Sequence, residues 1–312
     1  MAEPPYGVIW NRLKAGKVVP FLGAGASMAG RPADTAWNHD SPAFLPSGRE
    51  LSNFLAAETM FPSEHPGDRD DLAKVSSYYA DISGRRTLRE RLREILNHAY
   101  QPGALHTFLA AVPAHQVIVA TNYDTLLEQA FRSAGKPYDL VIYPADRKDI
   151  ANAVLWWPHG KTEPTPIAPN DLDRYLDLSK TSVIYKMHGT LERDTEEWDN
   201  FVITEEDYVE FLSRMTANTA IPAIFYNHFR ERSFLFLGYS LSDWNLRVIL
   251  KNLSKCISSK RSGELDEEPL PSWAIQFQPT ELARKLWEKR NVSIFDLTLD
   301  AFTLKMMQQQ GG

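Results

Sequence analysis

Apolar residues along this chain fall into two kinds of run. The first is short and nearly continuous: Val18–Leu22, Gln116–Thr121, Leu140–Tyr143, Val183–Met187, Phe234–Leu237, Trp273–Phe277 and Val292–Leu297. Little alternation and a high content of Val, Ile, Leu and Phe predict strands covered on both faces. The second kind repeats at three- and four-residue spacing, over Glu50–Met60, Leu88–His98, Asp124–Ala134, Glu205–Met215, Asn245–Leu253 and Thr280–Lys289. That period predicts helices with one buried stripe. Strands alternating with helices predict an α/β fold, a Rossmann-like, mostly parallel sheet with helices on both faces.

Two stretches break the pattern. Residues 30–47 are rich in Pro, Ala and Asp and read as a long loop. Residues 143–180, with Trp156-Trp157-Pro158, read as an irregular insertion or small cap. Residues 204–230 read as mainly helical, and the acidic Ser258–Pro271 as a surface loop. None has the character of a linker, so residues 1–312 read as one domain. Trp37, Phe44, Trp156 and Trp157 lie in the two insertions and are candidate exposed anchors for a partner.

Composition narrows the classes. The 312 residues are 43% hydrophobic and 24% charged, with a net charge of −6. An acidic balance argues against strong direct nucleic-acid binding, which rests on neutralising phosphates. The one cysteine, Cys256, permits neither an internal disulfide nor a multi-cysteine zinc site, and reads as a packing residue. Neither a signal peptide nor a run of ~20 apolar residues is present, so no membrane contact and a cytoplasmic location are expected.

Candidate chemistry gathers where the predicted strands end. The first strand runs into Gly23-Ala24-Gly25-Ala26-Ser27. Glycines at such a turn are free to take positive φ and leave no Cβ in a ligand's way, and exposed N–H groups can cradle an anion. The full GxGxxG pattern is not met, because Met28 stands at its last glycine. Three further clusters follow strands: Thr121-Asn122-Tyr123-Asp124, Met187-His188-Gly189 and Gly238-Tyr239-Ser240. Ligands bind at the carboxyl ends of strands in open α/β sheets, so these clusters predict one pocket. Taken singly, each has a plainer role. Asn122 or Asp124 could cap the helix near Thr125, His188 could be a core histidine, and Gly238 with Ser240 could form an ordinary turn.

Together the four clusters resemble the sirtuin superfamily. Gly23–Ser27 is similar to its GAG-x-S loop, Asn122 and Asp124 to its Asn-x-Asp motif, His188-Gly189 to its catalytic His-Gly, and Gly238–Ser240 to its late Gly-Ser turn. Two departures matter. The interval between His188 and Gly238 has no cysteine, where protein-deacylating sirtuins carry four zinc-binding cysteines. The Gly-Ile-Pro-Asp-Phe-Arg segment is only partly matched by Gly30–Asp34, without its arginine. With Leu45–Ala56 and Phe236–Leu250, these features resemble the SIR2-like proteins of bacterial anti-phage systems, and most nearly a SIR2 subunit paired with a HerA-type ATPase.

The resemblance implies an NAD+ glycohydrolase that yields nicotinamide and ADP-ribose without a metal and is gated by assembly. Asn122 would hold ribose hydroxyls or water, His188 would accept a proton, and Asp124 would bind the carboxamide. Gly23, Ala24, Gly25 and Ser27 would hold the diphosphate, with Thr121 at the cofactor side and Gly238 and Ser240 at the adenosine side. A homo-oligomer and a HerA-type or other defence partner are expected. A lysine deacylase and a nucleotide-binding assembly subunit are the competing readings. A second His-Gly, His159-Gly160, follows a proline rather than an apolar strand and is not assigned the catalytic role.

Overall fold

All seven continuous apolar runs become strands. The computed structural model of the protein describes residues 3–310 except 33, 151, 193, 218 and 240–269. The strands are β1 (Val18–Leu22), β2 (Val117–Ala120), β3 (Tyr138–Ile142), β4 (Val154–Trp157), β5 (Thr165–Ile167), β6 (Ser182–Lys186), β7 (Gly189–Thr190), β8 (Asn200–Phe201), β9 (Ser233–Leu237), β10 (Ser272–Gln276) and β11 (Val292–Asp296). Nine of them form one sheet in the order β11-β10-β9-β1-β2-β6-β3-β4-β5, and β7 pairs with β8. Neighbours from β11 to β3 run parallel, whereas β4 and β5 continue the sheet antiparallel. The chain builds outward from β1 on one side and then returns to β9 on the other. That reversal is a topological switch point, with its crevice at the strands' carboxyl ends.

Alternation within the strands divides the core. Val19, Phe21, Val119, Val183, Tyr185 and Phe236 cluster with side chains of helices 205–216, 223–230 and 281–288. Val18, Leu22, Ile118, Ile184, Leu235 and Leu237 cluster with those of helices 6–14, 104–111, 126–133 and 299–310. Both sheet faces are therefore covered, which is why these strands carry no polar face.

A third core lies in the crossover between β1 and β2. Helices Gly48–Glu58, Leu72–Ser83 and Arg85–Leu96 bury Leu51, Leu55, Val75, Tyr79, Leu88, Leu92 and Ile95 against one another and against Phe201 and Ile203. Ser47 and Glu50 form a capping box on the first helix, and Asp71 caps the second. Helix 85–96 ties this layer to the rest of the protein through arginines. Arg85 donates to the Phe201 carbonyl at 2.7 Å and pairs with Asp146 and Asp207. Arg89 donates to the Asp199 carbonyl at 2.9 Å, and Arg93 to the Glu192 carbonyl at 2.6 Å and the Asp199 carboxylate at 2.7 Å.

Several expectations change. Residues 143–180 contain two strands as well as irregular chain, because Trp156 and Trp157 sit on β4 beside β3. The candidate surface tryptophans are partly buried and make contacts within the fold. Trp37 packs edge-on to Phe54 at 5.3 Å, the Trp156 indole donates to Asp139, and the Trp157 indole donates to the Lys161 carbonyl. Phe44 is half-buried. Residues 31–46 carry neither helix nor strand where described, and 205–216 and 223–230 are helical. The predicted helix at Asn245–Leu253, Cys256 and most of Ser258–Pro271 lie outside the described residues. No helix among the described residues is long and apolar enough to cross a membrane.

Glycine at the β1 turn does not serve the expected positive φ. Gly23 has φ −101°, and Gly25 is likewise absent from the positive-φ glycines. β1 and β9 pair from Val18↔Ser233 to Leu22↔Leu237, so the chain leaves both strands side by side. A Cβ on Gly23 or Gly25 would come within 2.7 or 2.8 Å of the Gly238 carbonyl oxygen. Gly238 itself has φ +72°, and a Cβ there would lie 2.1 Å from the Ala26 nitrogen. Gly238→Ala is therefore expected to destabilise the protein by at least about 1–3 kcal/mol, the cost of holding a residue with a side chain in this backbone region. Gly30→Ala, at φ +88° with open space around it, is expected to cost less. Urea unfolding of both variants measures the difference.

Candidate functional site

Strand register assembles the site. Ala120 of β2 pairs with Lys186 of β6, so two residues further on Asn122 and His188 leave the sheet at the same level. Leu22 of β1 pairs with Ala120, which sets the Gly23–Ser27 turn beside them. A cavity of about 960 Å³ lies over this edge. Ala24, Gly25, Ser27, Thr121, Asn122, Asp124, His188 and Gly238 all line it. Gly23 packs behind the turn against Gly238 and Tyr239, and Ser240 lies outside the described residues. His159 is exposed and away from the cavity lining, with its backbone N–H on Asp139.

His188 is 7% exposed, with Tyr208 and Phe211 edge-on to its ring at 5.5 and 5.3 Å. Burial lowers its pKa to about 3, so the imidazole is neutral at neutral pH. Its Nε2 has no hydrogen-bond partner among the described residues. The backbone around it is fixed, since Val202 N–H donates to the His188 carbonyl at 2.9 Å. Gly189 follows at φ +89°, where a Cβ would lie 2.1 Å from the Asn200 carbonyl oxygen.

Asn122 is held by a short chain of hydrogen bonds. Its Nδ2 donates to Ser27 Oγ at 2.5 Å, and Ser27 Oγ donates to Asp124 Oδ2 at 2.5 Å. Asp124 Oδ1 accepts from Leu126 N–H at 3.0 Å, at the start of helix 126–133. These bonds orient the Asn122 amide while leaving its Oδ1 buried and without a partner among the described residues. The Ser27 hydroxyl thus joins Asn122 to Asp124, and Asp124 also serves the helix start. In the turn, Gly23, Gly25 and Ala26 N–H groups donate to the carbonyls of Leu237, Gly238 and Gly23. Tyr239 donates to Thr121 Oγ1 at 2.7 Å, bracing the β9 turn against β2.

Further residues line the same cavity: Arg31, Tyr208, Tyr239, Gln276 and Asp300. Arg31 donates to Glu50 at 2.8 and 2.5 Å, and these bonds hold the Glu50 carboxyl far below the usual carboxylate range. Gln276 ends β10 and Asp300 follows β11, so the strand-end rule that found the other clusters also points to them. Tyr208 stands three residues before Phe211 on helix 205–216, a spacing that puts both on the side facing His188. Arg31 had no such local signal. Among the described residues, no group of three or more His, Cys, Asp or Glu side chains is placed to hold a metal ion.

Fold and site together define an α/β domain whose cavity sits on the switch point of a Rossmann-like sheet. The chain belongs to the SIR2-like domain family, whose model matches residues 116–295, more than half of the chain. It is 30% identical over 247 residues to the NAD(+) hydrolase ThsA of Acinetobacter baumannii (strain 532279), covering 78% of this chain and 41% of that protein. It is 26% identical over 243 residues to the NAD(+) hydrolase ThsA of Enterococcus faecium, covering 77% and 41%. It is 23% identical over 244 residues to Defense-associated sirtuin 2 of Bacillus subtilis, covering 77% and 19%. The chain spans less than half the length of each of these relatives.

The buried state of His188 has a consequence for pH. Its folded pKa, about 3, lies below the ordinary value of 6.5, so below pH 6.5 the unfolded chain binds the proton more readily. This group's contribution to stability is complete above pH 6.5 and is lost as pH falls toward 3. Thermal unfolding from pH 7.5 to 4.5 is expected to show that loss, and a His188→Gln variant to show less of it.

Proposed function

We propose that this chain hydrolyses NAD+ to nicotinamide and ADP-ribose as an effector of anti-phage defence. One observation carries the reading. Two buried polar atoms without partners among the described residues, Asn122 Oδ1 and His188 Nε2, belong to residues that line one cavity of about 960 Å³. Membership of the SIR2-like family and similarity to proteins named NAD(+) hydrolase and defence-associated sirtuin support the substrate and setting.

The N-glycosidic bond breaks as nicotinamide leaves neutral, taking the bonding electron pair, and positive charge develops on the ribose carbon. Water oxygen bonds to that carbon. Neutral His188 takes a proton from the water or from a ribose hydroxyl that relays it, and passes it to solvent. Asn122 Oδ1 orients the hydroxyl or water, with its own orientation set by Ser27. The Asp124 carboxylate, 8% exposed, provides negative charge nearby. Because Gly23, Gly25 and Ala26 donate to carbonyls, the diphosphate contact at this turn falls to Ala24. Gly238 faces the adenosine side, with Ser240 beyond it in sequence.

In this reading residues 1–312 act as one SIR2-like unit, which the family match and the continuous nine-stranded sheet support. It requires no metal and works in the cytoplasm. A homo-oligomer and a HerA-type ATPase partner are part of the proposal on the strength of the sequence resemblance.

Chromatographic measurement of nicotinamide released from NAD+ tests the chemistry. Asn122→Ala and His188→Ala are expected to lose about 10²–10⁴-fold in rate while unfolding cooperatively. His159→Ala and wild type with EDTA are expected to keep full turnover. Wild-type rates in a folded Asn122 or His188 variant would overturn the site assignment.

Light scattering tests the assembly, with turnover followed in the same samples and a HerA-type ATPase added. The expected particle is larger than the 35.5 kDa chain, and its turnover responds to the partner. A monomer with full turnover that no partner alters would reject gating by assembly.

A further inference from the structure

Lys186 stands two residues before His188 on β6 and is only 1% exposed. Its Nζ donates to the Asp124 backbone carbonyl at 2.5 Å and lies 3.2 Å from Glu128 Oε1. Glu128, on helix 126–133, is itself 2% exposed. Neither of its carboxylate oxygens has a hydrogen-bond partner among the described residues. A buried ion pair gives little stability over a well-packed apolar pair of similar volume, so packing alone does not explain these charges. Their positions suggest another role. One ammonium links three elements: the end of β6, which leads into His188; the turn after β2, which carries Asn122 and Asp124; and the first turn of helix 126–133. The Asp124 carboxylate itself, also buried, accepts from the Ser27 hydroxyl and the Leu126 N–H, so the ammonium fixes the backbone of this turn while those bonds fix its side chain.

We propose that Lys186 and Glu128 are positioning residues for this site. They hold the Asn122–Asp124 turn at a fixed distance from His188. The inference rests on the NAD+-hydrolysis reading for its kinetic consequence but not for its structural one.

The test is the double variant Lys186→Met/Glu128→Gln, which removes both charges at similar volume and leaves neither ion unpaired. Lys136→Met is the control. It too removes an ammonium bonded to backbone carbonyls, those of Val112 and Ala114, but a half-buried one just before β3, at the opposite end of the strands. Two readouts are taken: amide hydrogen exchange across residues 121–126, and kcat and KM for nicotinamide release. The double variant is expected to unfold cooperatively, to exchange faster across 121–126 than elsewhere in the sheet, and to lose kcat by on the order of 10²-fold, the scale of a small misplacement of reacting groups. KM is expected to change little, and the control to keep both the wild-type kcat and the 121–126 protection.

Unchanged exchange across 121–126 would overturn the proposal, as would unchanged kcat in a protein whose wild type turns over NAD+. A wild type that releases no nicotinamide would instead reject the hydrolase reading, and the exchange measurement alone would then decide whether the brace exists. Should the double variant fail to fold, Glu128→Gln is read in the same assays. It keeps the ammonium and its bond to Asp124, and wild-type exchange and kcat in that variant would overturn the role of Glu128 and with it the pair.

Discussion

Parallel in-register pairing of β9, β1, β2 and β6 is the constraint on which the site depends. Each pairing fixes only which residues lie opposite one another: Leu237 with Leu22, Leu22 with Ala120, Ala120 with Lys186. Because side chains alternate between faces, a slip of one residue would turn every buried side chain of a strand to the wrong face. The two sheet-flanking cores therefore lock the register, and the locked register delivers four separate segments of chain to one level. Glycine at 238 follows from that arrangement, since two turns emerging side by side need a place where backbone can touch backbone.

Above this rigid edge the protein tolerates a local cost. A buried acceptor left without a partner destabilises a fold by about 1–3 kcal/mol. Asn122 Oδ1 and His188 Nε2 have no partner among the described residues, within a few residues of tightly bonded backbone, so such a cost falls on them until a ligand or solvent in the cavity bonds to them. The Ser27–Asp124 chain and the aromatic rings of Tyr208 and Phe211 keep the two side chains from turning toward other partners. Departures from local satisfaction of this kind collect at functional sites.

The parts of the molecule legible in the sequence were those whose signal is local. Fully buried strands such as Val117–Ala120 and Ser233–Leu237 announce themselves as apolar runs, and the motifs at their carboxyl ends could be placed without knowing which strand neighbours which. Helix Leu72–Ser83 has no clear apolar stripe in the sequence, because its buried face includes Ser76 and Tyr79. β5, only three residues long, has no periodicity to detect. The backbone approach that excludes a Cβ at Gly23 and Gly25 has no local signal, because the atom responsible belongs to Gly238, more than two hundred residues away in sequence. Ser27 presents the same difficulty: its partners, Asn122 and Asp124, are 95 and 97 residues away. Arg31 becomes visible only once Glu50 and the helical layer are in place.

The seating of that helical layer bears on how the sequence can drift over generations. Arg85, Arg89 and Arg93 reach across mainly to main-chain carbonyls, those of Phe201, Asp199 and Glu192. A carbonyl is supplied by whatever amino acid occupies the position. Side chains such as Glu196 and Glu197 can therefore change type without loosening the layer, whereas an arginine on helix 85–96 has no equivalent substitute for its forked geometry. Selection on the carbonyl contacts falls on the arginines alone, so apart from Asp146, Asp199 and Asp207, whose carboxylates pair with them, the segment facing the arginines is open to divergence while the shape it completes is kept.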